Sequence, residues 1–190
     1  MPRIVAGRLG GRRIQSPPGR DTRPTAEKVR AAIFNVLQHR LDWTELRVLD
    51  LYSGSGALGI EALSRGAARA CFVEAHRPVC RVIEGNLRNL GAEGGLVVPR
   101  RVEAFLKGPP PPGLGMADLV LLDPPYGYPA LAEVLAALAD WPPLQPGALV
   151  VLETGGEPPP AVPPRLESLL VKRYGDTQLV FHQVADRAVD

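Results

Sequence analysis

Residues 118–126 read Asp-Leu-Val-Leu-Leu-Asp-Pro-Pro-Tyr, and their types suit chemistry on an amino group. Asp123 can accept hydrogen bonds from an amine. The carbonyl of Pro124 can accept another, and the stiffness of the two prolines fixes where that carbonyl points. Tyr126 offers a flat face on which a planar base can stack. The plain alternative is a proline-rich turn. Leu119 to Leu122 form a short apolar run with a sharp stop, the pattern of a buried central strand. Prolines cannot extend a ladder, so the strand ends there. The acid, the prolines and the ring then lie at a strand's carboxyl end, where open α/β sheets bind ligands.

A second stretch, Ser53-Gly54-Ser55-Gly56-Ala57-Leu58-Gly59, follows a strand-like run and precedes a helix-like one. This is the G-x-G-x-x-G spacing of dinucleotide sites, with Glu74 twenty residues beyond Gly54. A nicotinamide cofactor is one reading. Asp50, at the edge of the same crevice, suits a cationic amino-acid group better than a pyrophosphate. S-adenosylmethionine has such a group and no phosphate. Asp50, Tyr52, Gly54 and Gly56 are then expected at its methionine end. Glu74 and Ala75 are expected at the ribose, and Glu103 and Ala104 at the adenine. Taken singly, Asp50 could be a turn acid, and Glu74 and Glu103 solvated loop acids. Their recurrence at the ends of successive strands favours a ligand.

The elements that must position these groups alternate between strand and helix. Strands are expected at 46–52, 70–75, 96–98, 117–123 and 148–153. Helices are expected at 57–65, 78–90, 103–107 and 129–139, with Gly66 and Gly91 closing the first two. The pattern predicts a doubly wound α/β fold whose mostly parallel sheet is covered on both faces. Runs 165–173 and 177–184, separated by a turn at Tyr174-Gly175-Asp176-Thr177, predict a C-terminal antiparallel hairpin. Ahead of the sheet, residues 3–15 read as a small β-hairpin around Gly10-Gly11. Thr25 is expected to cap a first helix running to about Arg40. Two parts follow: a basic arm and loop over 1–24, and a cofactor-binding domain over 25–190.

Charge supports a polymeric partner. The chain of 190 residues carries a net charge of +2. Residues 1–30 hold eight Arg or Lys against Asp21 and Glu27, a balance of +6 that leaves −4 on the remainder. A basic arm on a slightly acidic body is the layout of a nucleic-acid binder, with a merely solvated terminus as the alternative. Arg3, Arg8, Arg12, Arg13 and Arg23 are the expected phosphate contacts. No apolar run reaches bilayer length and no leader is evident at the start, so a cytoplasmic protein is expected. Two cysteines and three scattered histidines give no metal-ligand pattern.

Asp50-Leu51-Tyr52-Ser53-Gly54-Ser55-Gly56, Glu74 and Asp123-Pro124-Pro125-Tyr126 stand in an order that resembles class I S-adenosylmethionine-dependent methyltransferases acting on amino nitrogens. Arg3-Ile4-Val5-Ala6-Gly7 with Gly11-Arg12 resembles the opening hairpin of the RsmD-type enzymes. Arg23-Pro24-Thr25, Val29-Arg30 and Ile33-Phe34-Asn35 resemble their first helix. Residues 58–67 and 174–177 also fit. The resemblance covers nearly the whole chain and implies a seven-stranded methyltransferase sheet. It also implies methylation of the exocyclic N2 of one guanine in small-subunit (16S) ribosomal RNA, free or in the small subunit. Asp123, Pro124 and Tyr126 are the expected catalytic residues, the transfer needs no metal, and with nothing in the sequence suggesting an obligate oligomer a monomer is expected. The third-strand acid departs from the family, where Asp is common and this chain has Glu103. Three competing readings are an adenine-N6 methyltransferase on DNA or RNA, a nicotinamide-dependent oxidoreductase, and a non-catalytic RNA-binding assembly factor.

Overall fold

Strands that are apolar on both sides must be covered on both sides, and five of these strands are. The computed structural model describes residues 2–17, 24–155 and 161–186. Its elements are α1 (Pro24–Leu37), β1 (Arg47–Leu51), α2 (Ala57–Arg65), β2 (Arg69–Glu74), α3 (Arg77–Leu90), β3 (Gly95–Pro99), α4 (Val102–Leu106), β4 (Ala117–Leu122), α5 (Leu131–Asp140), β5 (Leu144–Gly155), β6 (Leu166–Tyr174) and β7 (Thr177–Val184).

They build a seven-stranded sheet in the order β3-β2-β1-β4-β5-β7-β6. β3, β2, β1, β4 and β5 are parallel, and β7 runs antiparallel to both β5 and β6. This is the predicted doubly wound sheet with its C-terminal hairpin. The strand order reverses between β1 and β4, so the ligand crevice belongs at their carboxyl ends.

Residues alternate between two cores. Val48, Phe72, Leu119, Leu121, Leu149 and Val151 face the core covered by α1, α2 and α3. Leu49, Leu51, Val73, Val120, Leu122 and Leu152 face the core covered by α4 and α5. By the same alternation Asp50, Asp123 and Glu153 belong to the first face.

Two expectations change. Helix α1 begins at Pro24, so Thr25 lies inside it rather than capping it, and Pro occupies the first turn, where its missing N–H costs nothing. Strand β5 starts at Leu144, earlier than its apolar run, because Pro146-Gly147 is accommodated beside a register shift against β4.

The expected N-terminal hairpin closes on an antiparallel bridge, Arg3 to Arg13, with backbone hydrogen bonds from Ile4 to Arg12, Gly11 to Ile4 and Ile14 to Pro2. Ile4, Leu9 and Ile14 are buried in the α1–α3 core, so the arm is fastened to the body. Glu61 of α2 does much of the fastening. Its fully buried carboxylate accepts the backbone N–H groups of Val5 at 2.7 Å and Ala6 at 3.0 Å. It also pairs with Arg65 at 2.9 Å and with buried Arg30 at 3.9 Å. Gly7 lies so close to α2 that a Cβ there would stand 2.0 Å from the carbonyl oxygen of Ser64.

Candidate active site

The glycine turn leaves β1 in left-handed backbone. Gly54 has φ 54° and Gly56 φ 78°, values glycine adopts freely. Tyr52 has φ 60°, a conformation that costs a side-chain-bearing residue about 1–3 kcal/mol and occurs where function holds it. Ser53 donates from Oγ to the Asp50 carbonyl at 2.6 Å. The Gly54 N–H donates to Glu74 Oε2 at 3.2 Å. Gly59, the last glycine of the spacing, lets α2 approach the sheet. A Cβ there would stand 2.3 Å from Phe72 Cε1 and 3.0 Å from Asp50 Oδ2.

Asp50 differs from expectation. It is 1% exposed, and its Oδ2 accepts the Gly59 N–H at 2.9 Å. Strand alternation turns it under α2, where it holds the Gly59 N–H from beneath instead of lying at the open edge of the crevice. Burial pushes its carboxyl well above the usual range, against the Gly59 hydrogen bond; Asp123 and Glu74 add to the rise.

Glu74, at the end of β2, is also buried, and its Oε1 accepts the backbone N–H of His76 at 2.8 Å. Ala75 follows it and is exposed. Glu103, in the first turn of α4, is half-buried beside exposed Ala104. Its Oε1 accepts the hydroxyl of Tyr52 at 3.1 Å and that of Tyr128, while Arg101 lies 3.3 Å from Oε2. Burial alone would raise Glu103. Hydrogen bonds from Tyr128, its own backbone and Tyr52, with the charge of Arg101, outweigh burial and lower it. The carboxylate expected to read an adenine amine is thus ionised and pinned by two tyrosines. Tyr128 comes from the segment after Asp123-to-Tyr126, so this contact joins the two halves of the crevice.

Asp123 is exposed at the end of β4, and its N–H donates to the Leu51 carbonyl at 3.4 Å. Pro124 is buried behind it. Tyr126 is 56% exposed at the mouth of the crevice. Its hydroxyl shares a 2.8 Å hydrogen bond with Thr177 Oγ1, and a Cβ on Gly155 would stand 3.7 Å from its ring.

Two residues of the site escaped the sequence reading. Glu153 stands beside Asp123, because Leu122 pairs with Leu152 and the next position on each strand carries an acid. Burial first, and Asp123 second, push its carboxyl up to about 8. It carries the same signal as Asp50, Glu74 and Asp123, an acid closing an apolar strand. Asn86 of α3 is buried and donates to the carbonyls of Ser55 at 3.1 Å and Gln15 at 3.0 Å, tying the glycine turn to the arm. An Asn within a polar helix face carries no such signal.

The arm's arginines divide. Arg12 donates to the carbonyls of Leu90 at 2.9 Å and Asn89 at 2.8 Å, and Arg8 to that of Gly91 at 3.3 Å. Both close the C-terminus of α3, where carbonyls lack helical partners and the dipole favours a cation. The picture of a ribbon projecting all its arginines is corrected at these two, though both remain exposed. Arg3 and Arg13 are exposed on the bridge, and Arg23 lies outside the described residues.

A family model described as "Conserved hypothetical protein 95" matches residues 2–183. Ribosomal RNA small subunit methyltransferase D of Escherichia coli (strain K12) is 37% identical over 154 residues, 80% of this chain and 74% of that protein. The enzyme of the same name from Haemophilus influenzae is 33% identical over 175 residues, 91% of this chain and 89% of that one. The solved structure of yhhF from Escherichia coli superposes with TM-score 0.85 at 32% identity, covering 97% of this chain and 98% of that one.

Proposed function

The chain belongs to the Conserved hypothetical protein 95 family, and from that membership we propose that it methylates small-subunit ribosomal RNA, using S-adenosylmethionine, at the exocyclic N2 of one guanine. The observation that carries the reading is Asp123-Pro124-Pro125-Tyr126 at the carboxyl end of β4, next to the glycine turn after β1.

The crevice residues fit the cofactor by their chemistry. The backbone N–H groups and hydroxyls of the turn suit the zwitterionic methionine end. Glu74 and Glu103 are the acceptors for ribose hydroxyls and an adenine amine. Tyr52, Gly54, Gly56, Ala75 and Ala104 complete the walls, with Asp50 holding the turn from beneath. When bound, S-adenosylmethionine supplies an electrophilic methyl group on a sulfonium.

A guanine amine is a poor nucleophile because its lone pair is delocalised into the ring. Asp123 and the Pro124 carbonyl hold its two hydrogens and aim the lone pair at the methyl. Such positioning contributes several kcal/mol to lowering the barrier, on the order of 10⁵ in effective molarity when geometry is good. The Asp123 carboxylate stabilises the positive charge growing on nitrogen and accepts the proton released as the N–C bond forms and the C–S bond breaks. Tyr126 stacks on the extruded base, a contact worth about 1–3 kcal/mol. Arg3, Arg13 and Arg23 meet phosphates.

The test is incubation with methyl-labelled S-adenosylmethionine and unmodified small-subunit ribosomal RNA or subunits, then digestion to nucleosides. Label in N2-methylguanosine supports the proposal. Label in N6-methyladenosine replaces it with the adenine reading, since the Asp123-to-Tyr126 motif serves both amines.

A further inference from the structure

Four carboxylates close consecutive parallel strands, and three of them have been given tasks; Glu153 has none. It sits on the face of the sheet that carries Asp123, one position beyond the pair Leu122 and Leu152. Neighbouring strands are about 4.8 Å apart, so the two acids flank one space. Across β7, Glu153 pairs with Leu179 and Gly155 with Thr177. Tyr126 shares a hydrogen bond with Thr177, and its ring stands 3.7 Å from where a Cβ on Gly155 would lie. Glu153 therefore lies between the acid that would hold the target amine and the ring that would stack on the base.

We propose that Glu153 is a specificity-determining residue of this pocket that reads the N1–H and O6 edge of the target guanine. The inference rests on the guanine reading given above. In guanine N2, N1 and O6 follow one another along a single edge, and Asp123 with Pro124 accounts only for N2. The next two positions need an acceptor for N1–H and a donor to O6. A protonated carboxyl offers both from one group, as apolar sites elsewhere use neutral acids to donate hydrogen bonds. The surroundings keep Glu153 in that form through neutral pH. Its carboxyl is pushed up to about 8 by burial and by the charge of Asp123 from β4, while β7 contributes only uncharged Leu179 and Thr177. Adenine shows no N1–H and no O6, so the two-point pairing is lost.

The experiment compares wild type, Glu153→Gln and Glu153→Ala on small-subunit ribosomal RNA with the target guanine intact or replaced by 2-aminopurine. That analogue keeps the amine and lacks both N1–H and O6. Wild type should prefer guanine by about 10-fold or more in kcat/KM, and the preference should shrink above pH 8 as Glu153 ionises. Glu153→Gln, whose amide offers the same donor and acceptor, should keep the preference and lose its pH dependence. Glu153→Ala should lose the preference. Unchanged discrimination in Glu153→Ala, with label still in N2-methylguanosine, would overturn the proposal alone. Label in N6-methyladenosine from wild type would overturn it together with the guanine reading.

Discussion

Tyr52 donates its hydroxyl to Glu103 at 3.1 Å, and Tyr128 donates to the same oxygen from the other side of the crevice. One carboxylate thus ties the turn after β1 to the segment after Asp123-to-Tyr126. If Glu103 also meets the cofactor's adenine, Glu103→Ala should weaken binding of S-adenosylhomocysteine about 10-fold, the scale of a charge-assisted hydrogen bond. Isothermal titration calorimetry reads this directly. Unaltered affinity would leave Glu103 a loop tether only.

Glu61 is fully buried with the guanidinium of Arg30 at 3.9 Å. Removing it strands a buried cation and two backbone N–H groups of the arm. Glu61→Ala should lose about 3–5 kcal/mol of stability, the cost of breaking a buried pair from one side. For a chain of this size that lowers Tm by roughly 10 °C in a calorimetric scan.

Arg12 and Arg13 are neighbours with different expected roles. Arg12→Ala removes the caps on Leu90 and Asn89 and should cost about 1 kcal/mol of stability. Arg13→Ala should leave Tm unchanged and reduce the slope of log affinity for ribosomal RNA against log salt by about 0.9. Denaturant unfolding and filter binding across a salt series separate the two.

The sheet was legible because parallel strands read as apolar runs punctuated by glycines, and the glycine turn because its spacing is strict. The buried fastening was not. Glu61 lies in a helix whose charges would ordinarily face water, and it is the arm's Val5 and Ala6 together with Arg30 and Arg65 that cover and pair it. Arg8 and Arg12 count as positive charge in any composition, whereas their pairing with α3 depends on where Gly91 ends that helix. Asp50 and Glu153 obey one rule, an acid ending an apolar strand. Which of them is covered depends on the depth of α2 over β1, a tertiary fact.

Glu153 should also shape stability against pH. Its folded pKa, about 8, exceeds the unfolded value of roughly 4.3, so the folded state binds the proton more tightly. Its contribution is fully present below about pH 4 and is lost as pH rises through about 8. Glu153→Gln removes this titration. Its Tm relative to wild type should therefore climb between pH 5 and 9, which a scan at each pH will show.

The most direct measurement of the account is single-turnover methyl transfer to unmodified small-subunit ribosomal RNA by Asp123→Ala, with cofactor affinity measured on the same preparation. If Asp123 holds the amine and takes its proton, transfer falls by about 10³ or more, the scale of losing a positioned base and charge stabiliser together, while cofactor affinity is retained. Transfer at the wild-type rate, with label in the same nucleoside, would contradict the assignment of Asp123 as the group that prepares the amine.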